Sequence, residues 1–317
     1  MNWFDNAPGG FFYLGLLLIA IMYMIIAKLI VLAPISRHMR LKGEDWYVSK
    51  PIVWLALILF GVLSAHVFSN GLLLSGPRLL MGVLAALLPL LIFAFLCIRH
   101  ARYRGVIFFS GMSFAFAALF MGAVALFFNT AAQKYLLPVF GLLLPGAMVL
   151  VIAPLIEELA KMLVLDRLLK GARETLPEAI FYGFAIGLGF AFIENVLYFN
   201  SGVAAMGAAA WGSYVLYRVF FSTLAHSYFA IAGSLAYKYV GGSRLRRFGY
   251  GWLFAFGLHM VYNAFSILEP VSIAGRELTG YGFFNPALLL VLTLGLVKLE
   301  KIRRKRKGWP SRRRRAL

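Results

Sequence analysis

Apolar runs of about 20 residues, the length an α-helix needs to cross a hydrocarbon core about 30 Å thick, recur along almost the whole chain. They lie at roughly 11–35, 51–68, 79–98, 105–128, 138–165, 178–200, 212–238, 249–268 and 284–300. None alternates with the two-residue period of a strand, and a chain in lipid must satisfy its backbone polar groups within each segment. The pattern therefore predicts nine transmembrane helices and an all-α fold, a polytopic helix bundle.

Charge orders these segments across the membrane, because cytoplasmic connections collect Lys and Arg. With the N-terminus outside, most of the 31 basic residues fall in the inner connections and in the tail from Lys298. Only Arg78, Lys134 and Arg276 lie outside, and Lys28, Lys161 and Arg218 lie within helices. The expected topology is N-out and C-in. The formal charge of +19 invites a nucleic-acid reading, but a basic tail after a last helix is explained by orientation and anionic lipid, so no nucleic-acid partner is expected. A single cysteine, Cys97, excludes an internal disulfide. The opening MNWFDNAPGG has no basic stretch, and the apolar run after it reads as a retained first helix.

Against this background, ionisable residues inside helices are conspicuous, since each costs about 2.5–3.5 kcal/mol on insertion scales. Of twelve acidic residues only Glu157, Glu158 and Glu194 lie well inside, and of five histidines only His226 and His259 are deep. A rise of about 1.5 Å per residue puts Glu158 about 12 Å from Asp166, His259 about 15 Å from Gly249 and His226 about 18 Å from Lys238. Three helices thus bring polar groups to one layer. Asn263 follows His259 by four residues and shares its face. Glu194 is expected deeper, about 24 Å from Glu178, with Arg218 at a similar depth on the next helix as its ion-pair partner. A lone buried His or Glu is often interhelical glue; this many converging from consecutive helices points to a functional site.

The residues also resemble a family. EELAK (157–161) matches the EExxK motif of PrsW-type intramembrane proteases, relatives of the type II CAAX prenyl proteases. FAFIE, from Phe190 to Glu194, is similar to their FxxxE motif, AHSYF carries the lone His226, and HMVYN, from His259 to Asn263, is similar to HxxxN. The CAAX branch has a histidine where Glu194 stands, which sets this chain on the PrsW side. The resemblance implies a CAAX-protease-like core and hydrolysis of a peptide bond in or near the membrane. It further implies a membrane-anchored substrate of the anti-sigma-factor kind and a bacterial plasma (inner) membrane. The chain then divides into transmembrane helices of unassigned role (1–128), a PrsW-like catalytic bundle (129–300) and a basic cytoplasmic tail (301–317).

Amide hydrolysis needs a base for water, donors for the oxyanion and an acid for the leaving amine. Glu157 and Lys161 form an i,i+4 pair in the favoured order, so Lys161 is expected to hold one carboxylate ionised while the other binds water. If Pro154 restarts a helix after a break, both glutamates lie in its first turn, where the helix dipole favours negative charge. The base belongs to the Glu157/Glu158 pair, and the CAAX relatives suggest the first. His259 and Asn263 suit oxyanion stabilisation, and His226 suits proton transfer. Gly183 and Gly187 are expected to bring the Glu194 helix close to the Glu157 helix. No cofactor is required by this chemistry; zinc on Glu157, Glu158, His226 and His259 is the mechanistic rival, without an HExxH motif. A proton-coupled transporter and a noncatalytic membrane scaffold are the alternatives from other classes.

Overall fold

A computed structural model describes residues 10–32, 77–99, 104–141, 144–169, 176–203, 207–267, 271–273, 276–278 and 284–308. The span expected at 51–68 lies outside the described residues, as does the end of the basic tail. Among the described residues eight helices follow one another: α1 (Gly10–Ile26, continuing through a π-helical stretch, Ala27–Leu32), α2 (Pro77–Arg99), α3 (Arg104–Phe140) and α4, whose three joined pieces are Leu144–Ala147, Met148–Ile152 and Ala153–Leu169. They continue with α5 (Leu176–Val203), α6 (Ala208–Tyr217, Arg218–Ser222 and Thr223–Tyr239), α7 (Arg244–Ile267) and α8 (Asn285–Gly308). A small antiparallel hairpin, β1 (Val271–Ile273) with β2 (Arg276–Leu278), joins α7 to α8. Everything else among the described elements is helical.

Among the described residues, four helices are long and apolar enough to cross a membrane: Leu80–Arg99, Gly111–Leu136, Leu176–Phe199 and Ala208–Tyr239. The helices around Glu157 and His259 are not among them, because their polar residues dilute the apolar run.

Two expectations about backbone are corrected. α4 does not break and restart at Pro154. It runs helically from 144 to 169 with a wide π turn at Met148–Ile152, so Glu157 and Glu158 lie deep in a helix and not at its dipolar start. Gly183 and Gly187 do not face the Glu157 helix either. A Cβ at Gly187 would stand 2.2 Å from Ser227 Cα, and one at Gly183 would stand 2.5 Å from Ile231 Cα. The small residues therefore bring α5 against α6, the helix of His226. Gly189 does the same toward α3, its added Cβ falling 1.9 Å from the Ala115 carbonyl oxygen. Helices packed backbone to backbone have little room to shift.

One end of the bundle is closed by a polar clasp. Arg244, opening α7, donates from Nε to Asp166 Oδ1 at 2.6 Å and from Nη2 to Asp166 Oδ2 at 2.5 Å, and the Tyr237 hydroxyl donates to Oδ1 at 3.1 Å. These bonds tie together the ends of α4 and α6 and the start of α7. Trp252 Nε1 donates to the Leu155 carbonyl at 3.0 Å, a second tie between α4 and α7.

Candidate active site

The opposite half of the bundle holds a cavity of about 1130 Å³, walled by α3, α4, α5, α6 and α7. Its lining begins at Phe190 on α5 and at His259 on α7, and on α4 and α6 it extends no further than Glu157 and Phe229. The cavity therefore reaches from the acidic layer toward the end of the bundle away from Asp166 and Arg244.

Glu157, Glu158, Lys161, His226 and His259 are all buried. The lysine chooses a different partner from the one its spacing suggests. Lys161 Nζ lies 2.6 Å from Glu158 Oε1, three residues back, and 2.8 Å from His226 Nδ1. Its ammonium also stands 4.4 Å from the centre of the Phe190 ring, a favourable cation–π position. Glu158 Oε1 receives a second bond, from His259 Nδ1 at 2.8 Å. Glu158 is thus a hub, enclosed between Lys161 and His259.

Glu157 is held differently. Oε1 accepts from Asn129 Nδ2 at 3.3 Å, and Oε2 has no hydrogen-bond partner. Glu157 lines the cavity, as do His226 and His259. One donor atom from each of these three residues lies within 4.8 Å of the others.

Hydrogen-bond logic fixes the rings. A carboxylate only accepts and an ammonium only donates. His259 Nδ1 therefore carries the proton given to Glu158, which in the neutral ring leaves Nε2 with its lone pair. His226 Nδ1 accepts from Lys161, and its Nε2 lies against Glu194 Oε2.

Glu194 is not deeper than the rest; it touches His226 directly. α5 spans 28 residues, about 42 Å at 1.5 Å per residue, so counting depth from Glu178 overstates it. The expected Glu194–Arg218 pair is present, with Nη2 donating to Oε1 at 2.9 Å. Arg218 Nε also donates to Asn195 Oδ1 at 3.1 Å, and the guanidinium stacks 3.7 Å from the Tyr198 ring centre.

Asn263 lines the cavity, but its Nδ2 donates to the Val149 carbonyl at 2.8 Å. Val149 belongs to the π turn of α4, where the wider spacing turns carbonyls outward. Part of the amide expected for the oxyanion thus braces α4 against α7. The π turn at Arg218–Ser222 is treated alike: the Tyr23 hydroxyl shares its proton between the carbonyls of Val219 and Phe220 at 3.4 and 3.3 Å. Such turns are concentrated at functional sites; of the three π stretches described, one precedes Glu157 and one precedes His226, while Ala27–Leu32 ends α1.

The model of the PrsW family of intramembrane metalloproteases matches residues 107–294, more than half of the chain. The chain belongs to the PrsW family. No curated protein and no solved structure matches it. All five helices around the cavity fall within or overlap the matched PrsW region, and with the four long apolar helices the family makes this an integral membrane protein.

A metal is implied by the family description, and the residues fit one. Two histidines and a carboxylate are a donor set that catalytic zinc takes. Glu157 Oε2 is buried without a partner. His259 offers Nε2 while Glu158 holds its other nitrogen, the outer carboxylate that orients a metal-binding histidine. His226 has both ring nitrogens engaged, so ligation there displaces one contact. Glu158 Oε1 is taken by Lys161 and His259, and the donor trio that the structure brings within 4.8 Å does not include Glu158, a smaller set than the four residues expected from sequence.

Proposed function

We propose that the chain is a membrane-embedded peptidase that hydrolyses a peptide bond of a membrane-anchored protein inside the cavity, with Glu157, His226 and His259 at its reacting centre. The observation that carries this reading is the unpartnered, buried Glu157 Oε2 grouped with two histidine donors on a cavity wall. A water there gives its proton to Glu157 as its oxygen attacks the carbonyl carbon. The lone pair on His259 Nε2 orients the attacking water, charge developing on the carbonyl oxygen is met by the remaining amide proton of Asn263, and the proton taken up by Glu157 then passes to the departing amine as the C–N bond breaks. Glu158 and Lys161 orient the two histidines. Glu194 and Arg218 close the site beside His226.

The family description and the donor set favour a second reading of the same residues, in which Glu157, His226 and His259 hold zinc. When bound, the metal supplies Lewis-acid activation of water and carbonyl. Nine spans with the N-terminus outside remain the topology most consistent with the basic loops, and a bacterial plasma membrane is the setting that the family suggests. In that topology the cavity opens toward the outer face, so the cleaved bond lies in the outer half of the substrate's membrane segment or just beyond it. An anti-sigma-factor-like protein is a fitting substrate.

The test is cleavage of single-span test proteins by purified enzyme in liposomes. Wild type is expected to cleave and Glu157→Gln to be inactive while melting normally; cleavage by Glu157→Gln at the wild-type rate overturns the assignment. Activity lost to exhaustive chelation and regained with zinc selects the metal reading, and activity that survives chelation selects the glutamate reading.

A further inference from the structure

α3 carries a polar stretch that no motif covers, Asn129, Thr130 and Gln133, all three lining the cavity. Thr130 and Gln133 are exposed, whereas Asn129 is half-buried and its amide reaches Glu157. We propose that Asn129 is a positioning residue for hydrolysis, holding Glu157 Oε1 so that Oε2 faces His226 and His259; the proposal rests on the peptidase reading above.

The argument is geometric. Asn129 Nδ2 stands 3.3 Å from Glu157 Oε1 and is the one hydrogen-bond donor to that carboxylate among the described residues. An ionised carboxylate only accepts, so the amide must turn its NH₂ toward it. Asn129 Oδ1 is then left buried without a partner, a cost that a residue serving only as interhelical glue has no cause to keep. Lys161, the other candidate for orienting Glu157, is committed to Glu158 and His226. Nor is the height of Asn129 accidental. Its helix is locked against α5, where a Cβ on Gly122 would stand 2.4 Å from Ile193 Cγ2 and a Cβ on Gly189 would overlap the Ala115 carbonyl. A side chain on so fixed an element sets the carboxylate's rotamer as the enzyme's outer hydrogen bonds set a ligand's orientation.

The test compares Asn129→Leu, close in size and without a donor, Asn129→Asp, which replaces the donor with a second acceptor, and Asn129→Gln, which keeps the amide. Each is purified, its melting temperature is taken, and kcat and KM are measured separately on the liposome substrate. The expected result is a kcat lowered about 10–100-fold in Asn129→Leu and at least as far in Asn129→Asp. KM should stay within about twofold, melting temperature should be unchanged, and most of the rate should return in Asn129→Gln. Wild-type kcat in both the Leu and the Asp variants overturns the proposal. So does a loss that tracks melting temperature across all three. Wild-type cleavage together with an inactive Glu157→Gln enzyme supports the peptidase reading independently, so an unaffected Asn129 series removes this assignment and leaves that reading in place.

Discussion

Lys161 Nζ stands 2.6 Å from Glu158 Oε1, and this contact separates the duties of two adjacent glutamates. Glu158, with no exposure to solvent, anchors the lysine and His259; Glu157, one residue earlier, is left to face the cavity. Removing Glu158 therefore disturbs the site through its neighbours. Glu158→Gln is expected to lower kcat about 10–100-fold, as loss of an outer partner does, and to destabilise the fold by about 3–5 kcal/mol because Lys161 is left buried without its counter-charge. Glu157→Gln should abolish turnover with a much smaller change in melting temperature. Thermal melts and turnover measured on the same preparations check both; equal melting losses in the two variants would contradict the division.

Arg218 serves Glu194 with a bidentate-capable head and stacks on Tyr198 at the same time. Lysine can replace the charge but neither the fork nor the stacking. Arg218→Ala should cost about 3–5 kcal/mol by stranding Glu194, and Arg218→Lys should recover only part of this. Chemical or thermal unfolding in detergent measures the series, and full recovery by lysine would show that charge alone matters.

Gly187 meets the backbone of Ser227, the residue after His226. A methyl group there has no flexible side chain to push aside. Gly187→Ala is expected to destabilise by at least about 1–3 kcal/mol and to lower turnover by moving His226. Gly257, whose added Cβ would meet nothing within 4 Å, is the control: Gly257→Ala should leave turnover unchanged. Matching losses in both would argue against a site-specific effect.

At the C-terminal end of α4, burial pushes the Asp166 carboxyl up, while hydrogen bonds from Arg244 and Tyr237 and the Arg244 charge outweigh it and hold the group below the usual carboxylate range. A depressed carboxyl stabilises the fold above its unfolded value of about 3.9 and loses that contribution as pH falls through the folded value. Stability from this clasp should thus be constant from pH 7 to 5 and fall below about pH 4. Asp166→Asn should be less stable at neutral pH and show a shallower acid decline. Melting temperatures across pH for the two proteins test this, and parallel curves would refute it.

The acidic layer was legible because charge in an apolar helix is expensive, so Glu157, Glu158, Lys161, His226 and His259 stand out from sequence alone. Their convergence followed from helical rise. Partner choice did not: whether Lys161 reaches three or four residues back depends on His226 and His259, contributed by other helices. Glu194 was placed too deep because α5 is longer than a membrane is thick. Asn129 escaped notice because a neutral amide carries no charge to betray it. The glycines of α5 announced close packing without naming the neighbour, since small-residue spacing says which face is smooth and not what lies on it. Nor does a local sequence signal mark the π turns, whose spare carbonyls are answered by Asn263 and Tyr23 from distant helices.

Those wide turns set the angular phase of the site. Each one lets a helix absorb an extra residue, so everything after it is rotated relative to what comes before by about 100°, the turn per residue of an α-helix. Glu157 follows one such insertion and His226 follows another. Removing a single residue from either stretch would leave an ordinary helix of nearly the same length, with its key side chain swung from the cavity into a neighbouring helix or the lipid. The reading frame of the helix face, as much as the identity of the residues on it, is part of what the sequence encodes.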